Sequence, residues 1–312
     1  MNNIKKIILL VITAISIISC GQEKKNDLQK AKVKSVRVKS YHAVEKFGEV
    51  VKDTLQEINQ LDFLMEDHFY ILYNEKGNKI EEVHEGLPNK EFTYVYKNEK
   101  LVEKKGKNSF YGESKNIYIY NELGNLRELS TYNADGGLIE KRICKYDTKK
   151  NNIETNVYNS DGVLKTKLTY KYDDKGNTIE INSYNSEGGL EIKYTYKYDE
   201  KGNTIEKNEY YPPNSERAKF TISTSIALSQ MSVEDDKEEK VSNFDGSVEY
   251  RTTYKYDENG EIIEKKNYRS QSNLEKRTYT YEYDKYGNWV KRITYKNDKP
   301  KFIAEREIEY YE

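Results

Sequence analysis

The residues able to act as nucleophiles or metal ligands are few and scattered. The chain of 312 residues has three histidines, at positions 42, 68 and 84, and two cysteines, Cys20 and Cys144. A zinc site needs His and Cys side chains at short, regular spacings, and none of these residues has such a partner. Serine hydrolase, zinc protease and phosphate-loop motifs are also missing from the sequence. We therefore predict a protein that is not an enzyme and holds no metal or other cofactor.

Two further features carry reactive groups but favour structural interpretations. The acidic run from Glu234 to Glu239 has the carboxylates that calcium prefers, but it lacks the ordered spacing of a calcium loop. We interpret it as a solvated charge run. Cys144 has the strand parity of Tyr146 and occupies the place of Tyr170 and Tyr196 in later repeats. We interpret it as a small packed side chain rather than a reactive thiol.

Cys20 is the residue for which the sequence specifies a chemistry. A positive start is followed by an apolar run over residues 7–18, which is shorter than the about 20 residues of a membrane-spanning helix and typical of a secretory signal. The run ends in Ile17-Ile18-Ser19-Cys20, which resembles the lipobox of bacterial lipoproteins. The resemblance implies cleavage before Cys20, a diacylglyceryl group on its sulfur and a fatty acyl chain, such as palmitate, on its amino group. An ordinary secretory signal with a chance cysteine is the alternative.

Composition limits the partners and the shape. The chain has 52 basic and 53 acidic side chains, a balance that provides no long-range field for nucleic acid. Tyrosine is abundant, with 30 Tyr against 8 Phe and 1 Trp. A buried phenol needs a hydrogen-bond partner, so many tyrosines favour a thin core in which the hydroxyl reaches water. We therefore expect a shallow, elongated molecule.

An internal repeat organises most of the chain. The unit Tyr-Lys-Tyr-Asp-x-x-Gly-Asn ends at Gly176-Asn177 and again at Gly202-Asn203, and a second turn unit, such as Tyr184-Asn-Ser-Glu-Gly188, lies between them. The full period is 26 residues with two turns. Each turn ends in Gly, which adopts a positive φ without strain. Lys150 and Lys100 stand where the pattern expects Gly, so their hairpins either bear strain or use other turns.

The segments between turns alternate apolar or aromatic with polar residues, which predicts strands with one packed and one wet face. Tight turns make successive strands antiparallel. The predicted fold is therefore all-β, a long antiparallel β-hairpin meander that is elongated and curled, without a helical domain. Residues 1–19 are predicted to form the signal peptide, 20–34 the lipidated cysteine with a flexible tether, and 35–312 the repetitive β domain. Residues 212–243 interrupt the pattern as an exposed insertion.

The iterated Tyr-Asp-x-x-Gly units resemble the YD repeats of RHS-type bacterial proteins, from Tyr73 to the end of the chain. The resemblance implies an antiparallel sheet that curls on itself. The residue after Gly is usually Asn here rather than the Arg common in that family, and no toxin domain follows the repeats. The terminal unit around Trp289 looks like those of small repeat-bearing envelope lipoproteins.

These features predict a non-enzymatic lipoprotein, held on the outer membrane through Cys20, whose repeats bind an envelope glycan or protein. The alternatives are an immunity or interaction protein of RHS-like toxins, by analogy, and an envelope hydrolase with a site assembled from distant carboxylates. The candidate ligand-binding residues are Trp289 and Tyr286, which could stack on a sugar ring. The alternative for Trp289 is that it packs the final hairpin and caps the sheet.

Overall fold

A computed structural model describes residues 32–53, 68–84, 90–108, 112–216, 218, 247–269 and 272–312. These ranges hold nineteen strands. Their bounds are β1 Val33–Lys46, β2 Glu49–Lys52, β3 Phe69–Tyr73, β4 Lys79–His84, β5 Lys90–Lys97, β6 Lys100–Asn108, β7 Gly112–Tyr120, β8 Leu126–Asn133, β9 Leu138–Tyr146, β10 Asn152–Asn159, β11 Leu164–Tyr172, β12 Thr178–Asn185, β13 Leu190–Tyr198, β14 Thr204–Tyr211, β15 Val248–Tyr256, β16 Ile262–Arg269, β17 Ser272–Tyr283, β18 Trp289–Lys296 and β19 Lys299–Tyr310.

Strands β3 to β19 form an antiparallel meander in chain order, and β1 closes it. One edge of β1 pairs with β19, with Val36 opposite Ile308, and the other edge pairs with β3, with Val36 opposite Ile71. The result is a closed barrel of 18 strands, to which β2 adds a short hairpin on the end of β1. The prediction of an all-β antiparallel meander is therefore confirmed. The predicted shape, an elongated and curled meander, is replaced by a closed barrel, because β1 fills the gap between β19 and β3.

Closure gives the sheet an inner and an outer face. Around the barrel, one set of cross-strand neighbours is buried, including Val36 at 2%, Tyr194 at 3% and Leu168 at 5% exposure. The opposite set carries exposed lysines, and the side chains of Lys171 and Lys197 are 67% and 68% exposed. Side chains spread apart on the convex side of a curved sheet and crowd together on the concave side. The buried set is therefore the inner face.

The turns alternate between the two ends of the barrel. The Tyr-Asp-x-x-Gly turns lie at one end, which we call the YD end, and the second turn units lie at the other, which we call the distal end. The chain enters β1 and leaves β19 at the YD end, where Tyr311 N–H donates to the Lys32 carbonyl at 2.8 Å. The segment between β14 and β15, which contains the predicted insertion, leaves from the distal end. Its described residues Ser215 and Ala218 are buried, and Ala218 packs on the inner-face cluster around Tyr194.

The predicted boundaries meet the structure at three places. β1 begins at Val33, within the segment predicted as the end of the tether. Residues 1–31, with the predicted signal peptide and Cys20, and residues 219–246, with most of the insertion, lie outside the described part. Glu216 and Ala218 are helical, at the start of the insertion. Among the described residues, no helix has the length and apolar character needed to cross a bilayer.

Each YD turn is held by its aspartate and completed by its glycine. Asp173 Oδ1 accepts hydrogen bonds from the backbone N–H groups of Lys175 and Asn177 at 3.0 and 2.8 Å. Gly176 has φ +85° and donates its N–H to the Asp173 carbonyl at 3.1 Å. The positive φ predicted for Gly176 and Gly202 is confirmed. The side-chain bonds pin the turn, and glycine takes the left-handed conformation that a Cβ disfavours.

The two departures from the glycine pattern have different outcomes. Lys150 keeps the same turn, with φ +69° and an N–H to Asp147 carbonyl distance of 3.1 Å. The hairpin before Lys100 instead turns on Asn98 and Glu99, which both have positive φ. Lys150 therefore occupies a left-handed conformation that costs a non-glycine residue roughly 1–2 kcal/mol.

The tyrosine of each YD turn links it to its neighbour. The Tyr172 hydroxyl donates to the Asn152 carbonyl at 2.8 Å, and the Tyr198 hydroxyl donates to the Thr178 carbonyl at 2.7 Å. Tyr256 donates to the Thr204 carbonyl at 2.7 Å, although the insertion separates them in sequence. The repeat thus resumes in register beyond the insertion, and each half-buried phenol has a hydrogen-bond acceptor.

The turn chemistry gives the first prediction. Gly176→Val should lower the free energy of unfolding by about 1–3 kcal/mol, the usual cost of a strained backbone conformation. A Cβ at Gly176 would meet no heavy atom within 4 Å, so φ strain is the cause isolated by this change. Chemical denaturation monitored by circular dichroism measures it. Gly176→Asn is the matched control and should cost less, because Asn tolerates positive φ. A Gly176→Val protein as stable as the parent would contradict this account of the turn.

Lys150 provides the converse prediction at the same turn position. Lys150→Gly should raise the free energy of unfolding by up to about 1 kcal/mol, because strain relief exceeds the added entropy of the unfolded chain. The same denaturation experiment measures the change. Lys149→Gly, one residue earlier, should destabilise instead, since it adds entropy without relieving a positive φ. Destabilisation by Lys150→Gly would refute the strain assigned to this position.

Candidate functional site

At one repeated position on the inner wall, the type of side chain differs from repeat to repeat. It is the fifth residue after the turn glycine, and we call it the ring position. A bulge early in alternate strands sets its direction: Tyr172 pairs with Thr178 and Lys171 with Glu180, so Ile179 is the extra residue. Ring residues therefore face inward. They are Glu82, Leu129, Thr155, Ile181, Lys207, Lys265 and Arg292.

In three consecutive repeats the ring position is neutral. Leu129, Thr155 and Ile181 are all buried, with exposures of 7%, 0% and 8%. Leu129 stands opposite Tyr118, and Ile181 stands opposite Tyr170. An aromatic ring directly across from an aliphatic side chain is an ordinary stabilising pair of a sheet. A neutral ring residue is therefore sufficient for this fold.

In the last three repeats the ring position is a cation opposite a tyrosine. Lys207 pairs with Tyr196, Lys265 with Tyr254, and Arg292 with Tyr281. We call these six residues the basic arc. Alternate strands carry the three cations, so neighbouring cations are separated by two strand spacings, about 10 Å.

The surroundings of the basic arc are rich in further cations. Glu209 lies 2.7 Å from Lys207 and Glu275 lies 2.6 Å from Arg277. From β14 to β19 the inner-facing cations outnumber these two inner-facing carboxylates. The cations are Lys207, Lys265, Arg269, Arg277, Arg292, Lys296 and Arg306.

Burial and like charge both act on the middle cation of the arc. Burial lowers the pKa of Lys265, and the neighbouring Arg277 and Lys207 lower it further, while Glu275 and Glu209 oppose them. Either effect disfavours the charged ammonium. An anion placed here would restore the charged form and offset the repulsion.

Arginines and aromatic rings continue the arc toward β1. The Arg306 guanidinium lies 3.5 Å from the centre of the Trp289 ring, and Arg292 lies 5.4 Å from it. Arg292 also lies 5.8 Å from the Tyr279 ring. A guanidinium group can stack on an aromatic ring with its face and make bidentate bonds to carboxylate or phosphate in its own plane.

The tyrosines of the arc are neutral phenols in ordinary conditions. Burial raises the pKa of Tyr196, Tyr254 and Tyr281 above the usual value. The Tyr281 hydroxyl donates to the Ile262 carbonyl at 2.9 Å, which fixes its ring. The arc thus combines positive charge with immobilised aromatic faces.

Elsewhere on the inner wall, ion pairs offset the charges. The ring residue Glu82 is 2.6 Å from His84 Nε2, 3.5 Å from Lys79 Nζ, and hydrogen-bonded by Tyr94. Burial alone would raise the pKa of Glu82, but the His84 hydrogen bond and the Lys79 charge outweigh it and hold the pKa well below its usual range. Lys104, on the adjacent hairpin, also favours the ionised carboxylate. In this part of the wall, the charge of the Glu82 carboxylate is offset by neighbouring protein groups.

The residues predicted to bind a sugar are not brought together. Trp289 is buried at 5% exposure in the inner-face cluster with Val36 and Val38, and Arg306 covers its ring. Tyr286 stacks on Tyr310, with ring centres 4.5 Å apart. Trp289 packs across the closure of the barrel, and the sheet has no open end for it to cap because β1 joins β19 to β3.

The remaining candidates are dispersed. His84 pairs with Glu82, and His42 lies against Phe302 with ring centres 5.3 Å apart. The described residues contain no cluster of three or more potential metal ligands. Cys144 is buried on the inner face, as expected for a packed side chain. Cys20, the other cysteine, and the run from Glu234 to Glu239 lie outside the described residues.

Sequence reasoning missed the basic arc although its signal is present. Aligning the repeats on their turn glycines places Lys207, Lys265 and Arg292 at one position, where Thr155 and Ile181 stand in earlier repeats. Simple alternation does not reveal that this position faces inward, because the bulge after each turn shifts the phase by one residue.

Comparisons with known proteins give remote similarities. No protein-family model matches the chain, and no curated protein matches it. A porin-like protein from Bacteroides uniformis is 11% identical, with 89% of this chain and 96% of that chain covered and a TM-score of 0.40. A porin-like protein from Bacteroides vulgatus is 13% identical, with 90% and 99% covered and a TM-score of 0.35. A TcdB2-TccC3-TEV structure is 14% identical over 83% of this chain and 12% of that chain, with a TM-score of 0.34.

The buried phenols predict how stability depends on alkaline pH. Burial raises the pKa of Tyr146 and Tyr256 to about 12, from a usual 10.0. A raised folded-state pKa contributes stability that is complete below pH 10 and lost as pH rises through 12. Ultraviolet titration should show exposed tyrosines ionising first and a later group ionising together with loss of the β-sheet signal. Tyr146→Phe should make the decrease in the free energy of unfolding between about pH 10 and 12 smaller, because one ionisable phenol is removed. Ionisation of all tyrosines near pH 10 in a folded protein would contradict the burial.

Proposed function

We propose that the protein is a lipid-anchored, non-enzymatic envelope barrel that stands in water and binds a partner on its inner wall. The observation that carries this proposal is the charged outer face. Glu180 lies 2.8 Å from Lys171 and 2.9 Å from Lys193, and Glu154 lies between Lys145 and Lys167 at 2.6 and 2.9 Å. Such rows recur on alternate strands and run from near the YD end toward the middle of each strand.

The outer rows favour water rather than lipid as their surroundings. A lysine or arginine on the lipid-facing side of a barrel costs about 2–4 kcal/mol near the bilayer centre. The rows also behave as ionised pairs: hydrogen bonds from Lys145 and Lys167 lower the pKa of Glu154 to about 2. Exposed pairs of this kind contribute little to stability but keep the surface soluble. A barrel with this exterior would need a separate anchor to stay on a membrane.

The arrangement of the chain ends supports an anchor on Cys20. Lys32 and Tyr311 meet at the YD end. Twelve residues lie between Cys20 and the first residue of β1, long enough for about 40 Å when extended. The acyl chains of a lipobox cysteine provide more than one hydrophobic anchor, which stable membrane attachment requires. On this proposal the YD end faces the membrane and the distal end faces away from it.

A binding role fits the inner wall better than hydrolysis does. A carboxyl group that acts as a general acid near neutral pH needs a raised pKa. Burial alone would raise the pKa of Glu82 and Glu275. Hydrogen bonds and nearby cations outweigh burial at both residues, so both pKa values are lowered. Carboxylates held in this way are ion-pair partners. In this proposal, the resemblance to YD repeats concerns only the antiparallel strand-turn-strand architecture.

The anchor is tested at Cys20. Cys20→Ala should abolish incorporation of labelled fatty acid and move the protein from the membrane to the soluble fraction. Cys144→Ser is the matched control and should keep both label and membrane attachment. Since a disulfide is the competing fate of a cysteine thiol, membranes should also be treated with reductant, which should release nothing. Unchanged labelling of Cys20→Ala, or release by reductant, would contradict lipid attachment at Cys20.

A further inference from the structure

We propose that the basic arc is the binding site for an acidic oligosaccharide, with carboxylate, sulfate or phosphate groups on Lys207, Lys265 and Arg292 and sugar rings against the paired tyrosines. This inference deepens the proposed function by naming the class of partner. The inference rests on one part of the proposed function, that the inner wall binds a ligand.

The fold does not require cations at these positions. Thr155 and Ile181 occupy the ring position in repeats with the same strands, turns and bulges. Burying a cation costs free energy, and clustering several adds repulsion. Three successive repeats nevertheless carry Lys207, Lys265 and Arg292. Lys207 already pairs with Glu209, but the inner-facing cations of β14 to β19 outnumber the carboxylates, and a bound anion would offset the surplus positive charge.

Each cation of the basic arc is paired with an aromatic ring. Tyr196, Tyr254 and Tyr281 stand directly across from the three cations, where cross-strand side chains are closest. A tyrosine presents an apolar face to a sugar ring and a hydroxyl to its polar groups. The alternation of charge and ring along the arc therefore matches an oligomer in which acidic groups project from stacked rings.

The length of the arc also matches an oligomer. Successive cations about 10 Å apart span about 20 Å in total, the reach of an extended oligomer rather than a single small anion. Glu209 pairs with Lys207 and Glu275 pairs with Arg277, so the surplus positive charge that a ligand would meet lies at Lys265 and Arg292, toward Arg306.

Binding can be measured on the full mature chain carrying Cys20→Ala, which removes the lipid from the experiment. Calorimetry with an oligogalacturonate hexamer and a heparin-derived hexasaccharide should show binding of at least one, weakened by added salt. Maltohexaose, which is neutral, should not bind. An oligothymidylate of equal charge should bind at least about tenfold more weakly, because its charges are not spaced to the arc. Equal affinity for the oligonucleotide, or no binding of either acidic hexamer, would overturn the proposal.

The residues are tested by exchange for the side chain of a sister repeat. Lys207→Ile and Lys265→Ile copy Ile181, and each should weaken binding by about tenfold, the loss expected for one charge-assisted hydrogen bond. Lys265→Arg should restore most of the affinity. The matched control removes equal charge outside the barrel by Lys171→Gln and Lys197→Gln, and should leave affinity within about twofold. Loss of binding in the outer-face control with retention in the inner variants would place the ligand outside and refute the site.

A second readout covers the case in which an inner variant does not fold. Because the pKa of Lys265 is lowered, its amine should react early with a small acylating reagent in the parent protein. The acidic hexamer that binds should protect Lys265, while maltohexaose should not. The exposed Lys171 serves as the internal control in the same sample and should stay equally reactive. Unchanged acylation of Lys265 at saturating ligand would overturn the proposal, whereas the lipid-labelling result at Cys20 would be unaffected.

Discussion

The pairing of β1 on both of its edges is the interaction on which the rest of the structure depends. A sheet that ends in open strands exposes rows of N–H and C=O groups, and these promote association with other chains. β1 satisfies β19 on one side and β3 on the other, through residues such as Arg37, which stands opposite both Glu307 and Tyr70. Closure also separates the two faces. The same alternating sequence thereby yields an aromatic inner wall and an outer surface of ion pairs.

The sequence predicts the local features of this architecture, which are the turns and the strands, but it does not predict the closure. Turn glycines, alternation and the YD aspartates act over a few residues, so Gly176 and Gly202 were placed correctly. Closure joins residues from opposite ends of the chain, such as Val36 and Ile308, and no local pattern marks such a pair. The tyrosine-rich composition predicts a shallow sheet. In the barrel many tyrosines instead lie on the inner face, and several donate their hydroxyls to neighbouring turns.

The candidate site was hidden by the bulges. Alternation predicts which residues share a face only while the pairing register is continuous, and one extra residue shifts the phase. Ile179 is such a residue, and Ile205 follows it one repeat later. After correction for the shift, Lys207, Lys265 and Arg292 face inward at one repeated position. The sole Trp was the more conspicuous signal in the sequence, but Trp289 packs beside the closure strand.

A repeated scaffold explains how structure and function can be divided among the same residues. Turn aspartates, glycines and the linking tyrosines recur because each hairpin needs them. The ring position faces the interior and is not needed to form the hairpin, so its side chain can differ between repeats. Neutral residues there support packing, while the cations of the last repeats create a local positive wall. The proposed function uses this difference: an inner surface for an acidic ligand, inside a barrel whose exterior remains in water.

Closure is tested most directly by a distance between β3 and β19. Spin labels at Tyr70→Cys and Glu307→Cys flank Arg37 on the outer face, in a protein that carries Cys20→Ala and Cys144→Ala. Pulsed electron resonance should give a label separation of about 10–25 Å, since the backbones are two strand spacings apart. In an open meander the two strands would be at opposite edges, separated by on the order of 80 Å along the sheet. A distribution without the short distance would contradict the closed barrel and, with it, the inner wall.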